Sequence, residues 1–412
     1  MELPVFSTNS FDTFLKPFQS YFSIPQYRNF KQYFSSLILS NKKKTLTNLH
    51  HSDQAKVNYE SLQHFMSSSP WDHQTLNEHR IISGMETIIE NASSHEKPIG
   101  FFIGDDTTNP KRGDSMPGFG YYHSGVEGRQ ILSQSIVAST YHFDGFDLPL
   151  HASLYKNKTS CEENNELFQT KNQLLIEHIH SFDFPEEITT FALLDAFYFN
   201  EKVIKVLQEK SIHSIGRLKS NRRLIIDPKD PDGCRLDLWF HYLKTRKPHP
   251  FKRISILNSS GKKEQLWIYE QIIEIKNLGK VKIVLACNKL RGQKSKPLFI
   301  GATDTTLTAE EILTFYFKRW NIETFFWTIK QKLGFNHYQM RSELATTRHW
   351  YLVFLAYSYL SIAKLNHDPT VSIGELQVLQ QQENTRQFIR HVCSKSSKQK
   401  QNPDLIYLKL VA

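Results

Sequence analysis

The sequence predicts an α/β protein, a mixed core set between helical ends. Three observations carry that class. Two continuous apolar runs, IGFFIGDD at 99–106 and ITTFALLDAFYFN at 188–200, have the profile of buried strands that deliver acids at or near their ends. Helical patterns alternate with them. A stretch from 308 to 335, TAEEILTFYFKRWNIETFFWTIKQKLGF, reads as one long amphipathic helix late in the chain.

That helix is the best signalled element. Thr308 suits an N-cap, Glu310 and Glu311 lie in the first turn, Lys330 and Lys332 in the last, and Gly334 closes it. At about 100° per residue, Phe315, Ile322, Phe325, Phe326, Ile329 and Leu333 form the face to be buried. Tyr316, Arg319, Glu323 and Lys330 share the adjoining strip, with Trp320 and Trp327 bordering it. A polar strip of this kind is usually just a solvated face. Two indoles and a phenol are unusual there, however, and a single acid among bases suits a metal ion beside phosphates.

Residues 1–97 carry apolar spacings of three and four in FDTFLKPFQSYF, YRNFKQYFSSLIL and NYESLQHFMSSS, which predicts a small helical domain. Lys42, Lys43, Lys44, His50 and His51 form a basic patch suited to DNA phosphates or to a solvated loop, and a polar linker follows at 91–97. Residues 98–211 form the first part of the core. Within them 107–125 reads as a Gly- and Pro-rich loop, 131–143 as a strand, 166–182 as a helix, and 200–210 as a short helix capped by Asn200. Asp195 looks poorly placed to cap, because the apolar AFYF separates it from that helix.

Residues 212–303 are rich in short β-type runs (IGRLKS, RRLII, RISIL, EQLWIYEQIIEI, KVKIVLAC), either a separate β subdomain or an extension of the main sheet. KPLFIGAT leads back to the core, 304–340 holds the long helix, and 341–412 is a helical region. Its first helix, RHWYLVFLAYSYLSIAKL, is apolar enough for a core. A polar helix from about 374 to 393 follows, and the basic tail SKSSKQKQ is expected to be disordered or to lie on DNA.

Composition narrows the function. A formal charge of +10 over 412 residues favours a polyanionic partner, nucleic acid first. No apolar run reaches the roughly 18 residues of a spanning helix, and residues 1–20 lack the order of a signal peptide, so a cytoplasmic protein without membrane contact is expected. Cys161, Cys234, Cys287 and Cys393 are far apart and form no CxxC pair, so neither a disulfide framework nor a cysteine zinc site is indicated. The acids at Asp105/Asp106, Asp195 and Glu323 can instead meet at one point of an α/β domain. Hard oxygen donors select Mg²⁺ or Mn²⁺, and two such ions suit phosphodiester cleavage.

Tyr316, Arg319, Glu323 and Lys330 reproduce a Y(2)R(3)E(6)K spacing, DDTT stands at 105–108, and LLDAFYFN surrounds Asp195. In these motifs and their order the chain resembles the DDE transposases of bacterial insertion sequences, in the insertion-sequence-four-like group. The resemblance covers roughly residues 100–335 and extends more loosely to SLQHFMSSSPWD near the amino end. It implies a ribonuclease-H-like catalytic core with a β-rich insertion, and Mg²⁺-dependent cutting and joining of double-stranded DNA at the element's terminal inverted repeats. A homodimer in the synaptic complex and a place on the bacterial nucleoid go with it.

Carried over position by position, Asp106, Asp195 and Glu323 match the metal ligands. Tyr316, Arg319 and Lys330 match the residues that grip end phosphates. The family's first acid precedes Thr, which favours Asp106 over Asp105. Trp320, and with less weight Trp267 of the insertion, are candidates to stack on an unpaired base at the cut. The rival readings are a transposase-derived DNA-binding protein without activity and a metal-dependent nuclease without strand transfer.

Overall fold

The computed structural model describes residues 9–51, 57–112, 116–125, 127–230, 232–257, 261–290, 297–365, 371–399 and 402–403. Five helices come first: α1 (Asn9–Leu15), α2 (Ile24–Leu39), α3 (Leu46–His51), α4 (Tyr59–Ser67) and α5 (His73–Ala92). Their starts follow local chemistry. Ser23 and Gln26 form a capping box on α2, Asn58 caps α4, and Asp72 caps α5.

The sheet begins with β1 (Ile99–Pro110), β2 (Phe119–Ser124), β3 (Arg129–Phe143) and β4 (Phe146–Tyr155). After α6 (Lys158–Glu163) and α7 (Lys171–His180) come β5 (Thr189–Leu194), α8 (Glu201–Glu209) and β6 (His213–Arg217). The segment read as β-rich supplies β7 (Arg223–Ile225), β8 (Cys234–Arg235), a helix α9 (Leu236–Thr245), β9 (Lys252–Leu257), β10 (Lys263–Ile275) and β11 (Gly279–Cys287). β12 (Leu298–Ala302) then leads to α10 (Ala309–Lys318), α11 (Trp320–Gln331), α12 (Glu343–Leu365) and α13 (Ile373–Gln399).

All twelve strands join one sheet, in the order β2-β3-β1-β5-β6-β12-β11-β10-β7-β8, with β4 on β3 and β9 on β10. Among the described residues only the β1–β5 and β5–β6 pairings are parallel. Of the two alternatives for 212–303, the structure takes the extension of the main sheet. Residue alternation divides the core. Phe101 and Ile103 of β1 pack with the amino-terminal helices and α10–α12, while Phe102 packs with α7 and α8 on the other face. Gly104 is what lets α7 approach, since a Cβ there would lie 2.5 Å from Leu175.

Residues 9–92 pack on one another through rings such as Phe22, Phe30, Phe65 and Trp71, and that packing is continuous with the core of the rest of the chain. Phe11, Phe30 and Phe34 share one cluster with Leu352, Phe354 and Tyr359 of α12. α12 is buried nearly all round, and its polar groups bind its neighbours. Arg348 donates to the backbone oxygens of Phe65, Met66, Ser69 and Trp71, and Tyr33 meets His349 at 2.7 Å. The expected boundary near 97 is therefore a change of secondary structure, not a gap between separately packed bodies.

Several other expectations are corrected. The helix over 308–335 is two helices joined at Arg319, whose N–H bonds to Tyr316 in the tighter i to i−3 manner. The hydrophobic spacing runs straight through that turn, so periodicity could not reveal it. β1 does not end at its acids but continues to Pro110, and β2 occupies part of the expected loop. The expected helix at 166–182 is only α7, started by the Thr170–Gln173 capping box. The basic tail is helical through Gln399, while Lys400 and Gln401 lie outside the described residues. Among the described residues no helix is long and apolar enough to cross a membrane.

Candidate active site

The sheet register brings two acids side by side. β1 and β5 pair in parallel up to Gly104 and Leu194, so the next residues on each strand are Asp105 and Asp195. By alternation both belong to the face packed against α10–α12, the face of Ile103 and Leu193. Asp195 also accepts the N–H groups of Phe197 and Tyr198, at 2.8 and 2.9 Å. It thus caps a tight turn after β5, while the helix that follows is capped by Asn200. The apolar run AFYF is that turn.

α11 supplies the third acid. Arg319 Nη1 donates to Asp105 at 2.9 Å, and Nη2 donates to Glu323, one helical turn on. One guanidinium fork therefore holds a strand carboxylate and a helix carboxylate. All three side chains are partly buried, with 18% of Asp105, 15% of Arg319 and 35% of Glu323 exposed. Burial pushes the Asp105 carboxyl up to about 7; Arg319 opposes this, and the neighbouring Asp195 and Asp106 carboxylates add to it. Burial disfavours the charge on Arg319, yet Tyr316, Asp105 and Glu323 outweigh it and hold its pKa above the usual value.

Asp106 faces the other way. Lys171 at the start of α7 lies 2.6 Å from it, and the Tyr198 hydroxyl donates to it at 3.2 Å. The resemblance designates Asp106 as the partner of Asp195 and Glu323, but the structure turns Asp105 toward Glu323. The reason is the two-residue period of the strand, which sends adjacent side chains to opposite faces. Lys171 and Tyr198 were not singled out in the sequence. Their partner is 65 and 92 positions away, and no spacing rule links them to it.

Lys330 reaches back to β1, donating to the Thr107 hydroxyl and, at 2.8 Å, to the Thr108 carbonyl oxygen. Burial pushes its pKa down to about 8. Tyr316 is 8% exposed and sits 6.0 Å from the Arg319 guanidinium, so it backs Arg319. Trp320 and Trp327 are 52% and 58% exposed on α11. Trp267 is half-buried, with its ring edge-on to His249 at 5.4 Å.

Asp105, Asp195 and Glu323 offer hard oxygen donors, and the mutual repulsion of Asp105 with its neighbours is what a divalent cation would relieve. Among the described residues no three acids, histidines or cysteines are close enough to form a metal cage, and Arg319 stands between two of these three. Three carboxylates are hard oxygen donors, a chemistry that fits Mg²⁺ or Mn²⁺.

A protein described as "Probable transposase for insertion sequence element IS701" from Microchaete diplosiphon is 26% identical over 230 residues. That match spans 53% of this chain and about half, 56%, of the relative's length. The cryo-EM structure of a piggyBac transposase synaptic complex with hairpin DNA has a TM-score of 0.45 at 10% identity, over 90% of this chain and 73% of that one. At that score the likeness is too loose to fix the fold. The family models are more direct. The DDE superfamily endonuclease model matches residues 17–235 and the transposase DDE domain model matches residues 154–359, each half of the chain or more. The chain belongs to the DDE transposase family, a family of endonuclease enzymes.

Proposed function

We propose that this protein binds the ends of an insertion sequence and carries out metal-dependent DNA cleavage and strand transfer from a ribonuclease-H-like core. The observation that carries the reading is the adjacency of Asp105 and Asp195 on one sheet face, with Glu323 tied to Asp105 through Arg319. Asp105, Asp195 and Glu323 would hold Mg²⁺ or Mn²⁺, in keeping with two ions. Bound there, the ions supply activation of the attacking oxygen and stabilisation of the leaving one.

The chain's own residues do the rest. Arg319 and Lys330 hold the phosphates beside the cut, and the turn capped by Asp195 fixes that carboxylate at the end of β5. Water displaces the 3′ oxygen at the element end, giving a proton to solvent while the departing oxygen takes one up, which leaves a 5′ phosphate and a free 3′ hydroxyl. That hydroxyl then displaces a 3′ oxygen in the target strand. Asp106, held by Lys171 and Tyr198, positions the strand from its other face. The substrates are double-stranded terminal inverted repeats and target DNA, the working form is a homodimer on the bacterial nucleoid, and the chain falls in the insertion-sequence-four-like group.

The test uses duplexes made from the DNA that flanks the coding sequence. The full chain with Mg²⁺ is expected to cut them at the inverted repeats and to join the ends to a plasmid. A chelator should stop both steps. Cutting without joining would favour the nuclease, and binding without cutting the inactive protein.

A further inference from the structure

About 20 Å along β1 from the acids, six residues at roughly 3.3 Å each, the strand runs into a second cationic site. Lys111 and Arg112 follow β1, Lys43 comes from the turn between α2 and α3, and His337 and Arg341 come from the segment after α11. They line one cavity of about 730 Å³, and no acid lines it among the described residues.

Its parts are held in place. The Lys111 ammonium donates to the carbonyl oxygens of Asn336 and Tyr338, at 2.9 and 2.6 Å, and lies 3.4 Å over the Tyr338 ring. The Lys44 N–H donates to His337 Nδ1 at 3.0 Å, which ties the α2–α3 turn to the same segment. Gly334, at φ +73, lets that segment turn back against Lys44. Burial pushes Lys111 down to about 7. His337 is lowered by burial and then by Lys44, Lys43 and Lys111, the signature of cations gathered without an anion.

We infer that this cavity is an anchor for a DNA backbone phosphate, distinct from the acid cluster and in line with it along β1. The inference rests on the nucleic-acid reading above. The ligand chemistry is a phosphate monoanion of the diester backbone. Lys43, Arg112 and Arg341 are exposed and supply the mobile donors, while Lys111 sets the floor. Arg319 and Lys330 serve the phosphates at the cut, and this cavity would take the duplex about six base pairs away, at 3.4 Å per pair. Its task is register: contacts to phosphate position a duplex without reading its sequence.

The test is the salt dependence of binding of the full chain to a mixed-sequence duplex of 60 base pairs, in chelator to prevent cutting. Each phosphate contact contributes about 0.9 to the slope of log affinity against log salt. The double variant Lys43→Gln with Arg112→Gln is expected to lower that slope by between one and two contacts. An equal charge change on the exposed lysines of α8, Lys202→Gln with Lys205→Gln, should leave it as in the wild type. Equal loss in both double variants, or no loss in the first, overturns the anchor. So does loss of inorganic phosphate binding in the first variant with its duplex slope unchanged, since the cavity would then be a site for free phosphate. A wild type that does not bind the duplex at 50 mM salt overturns the nucleic-acid reading itself, an outcome separate from the others.

Discussion

Arg319 and Asp105 meet at 2.9 Å across 214 positions of sequence, and the same guanidinium holds Glu323. This fork, together with Lys330 on Thr107 and Thr108, ties the sheet to the helix that carries the third acid. Lysine keeps the charge but gathers its donors on one nitrogen, without the rigid planar fork that spans the two carboxylates. Arg319→Lys is therefore expected to lower the rate of DNA cleavage about 10-fold, and Arg319→Ala about 100-fold or more, the scale for loss of one preorganised donor at such a site. Single-turnover cleavage measures both. A wild-type rate in Arg319→Ala removes it from the site.

The amino-terminal helices depend on Arg348. Its two terminal nitrogens satisfy four backbone oxygens between Phe65 and Trp71, and its guanidinium lies 4.3 Å from the Trp71 ring. Arg348→Met leaves those oxygens buried without donors. The expected loss is about 3 kcal/mol in urea unfolding, with α4 and α5 losing amide protection first. A loss below about 1 kcal/mol would mean that water replaces the guanidinium.

Stability should also fall on the acid side. His349 is fully buried between Tyr33 and the Gly334 carbonyl oxygen, and burial pushes its pKa down to about 3. The folded state keeps it neutral while the unfolded chain protonates it near 6.5, so the unfolded state binds more protons between those values. Stability from this group is complete above about pH 6.5 and is lost as pH falls toward 3, by up to about 1.4 kcal/mol per pH unit. His349→Gln should reduce the slope of unfolding free energy against pH by about one proton between pH 4 and 6. An unchanged slope would contradict the assignment.

Much of the site was legible because helix caps and strand runs are local signals. Asn200, Thr308 and the apolar strands carry their own chemistry in a few residues. What was not legible depends on distant partners. Which of two adjacent acids meets Glu323 is decided by which face of β1 packs on α11, and DDTT reads the same either way. The turn at Arg319 breaks no periodicity, and the Asp195 turn looks like more apolar strand. The strand β4 and helix α9 were missed although each carries its period, with Phe146, Leu148, Leu150 and Ala152 alternating in β4 and Leu236, Phe240 and Leu243 at i, i+4 and i+7 in α9; both stretches are only ten residues long, too short for the pattern to stand out. Core sharing by the amino-terminal helices lies in Arg348 and Arg80, buried arginines that sequence alone reads as surface.

Trp320 is half exposed beside Arg319, whereas Trp267 is partly covered and rests against His249. A base drawn out of the duplex near the cut needs an exposed ring on which to stack. A fluorescent adenine analogue next to the scissile bond should change in brightness on binding wild-type protein. That change should be diminished in Trp320→Ala and kept in Trp267→Ala. Retention in Trp320→Ala would leave that indole without a role at the base.

Asp105, with Asp195 and Glu323, is the proposed metal-dependent cutting site. The most direct measurement is single-turnover cleavage of an end-containing duplex by Asp105→Ala and Asp106→Ala in Mg²⁺, with duplex binding measured alongside. Asp105→Ala is expected to bind normally and to lose cleavage by a factor of 10³ or more, matching Asp195→Ala and Glu323→Ala, because loss of a ligand removes the chemistry and not the phosphate contacts. Asp106→Ala should retain measurable cutting, slowed by the release of Lys171 and Tyr198. An active Asp105→Ala beside a dead, well-folded Asp106→Ala would contradict the account and return the ligand to Asp106.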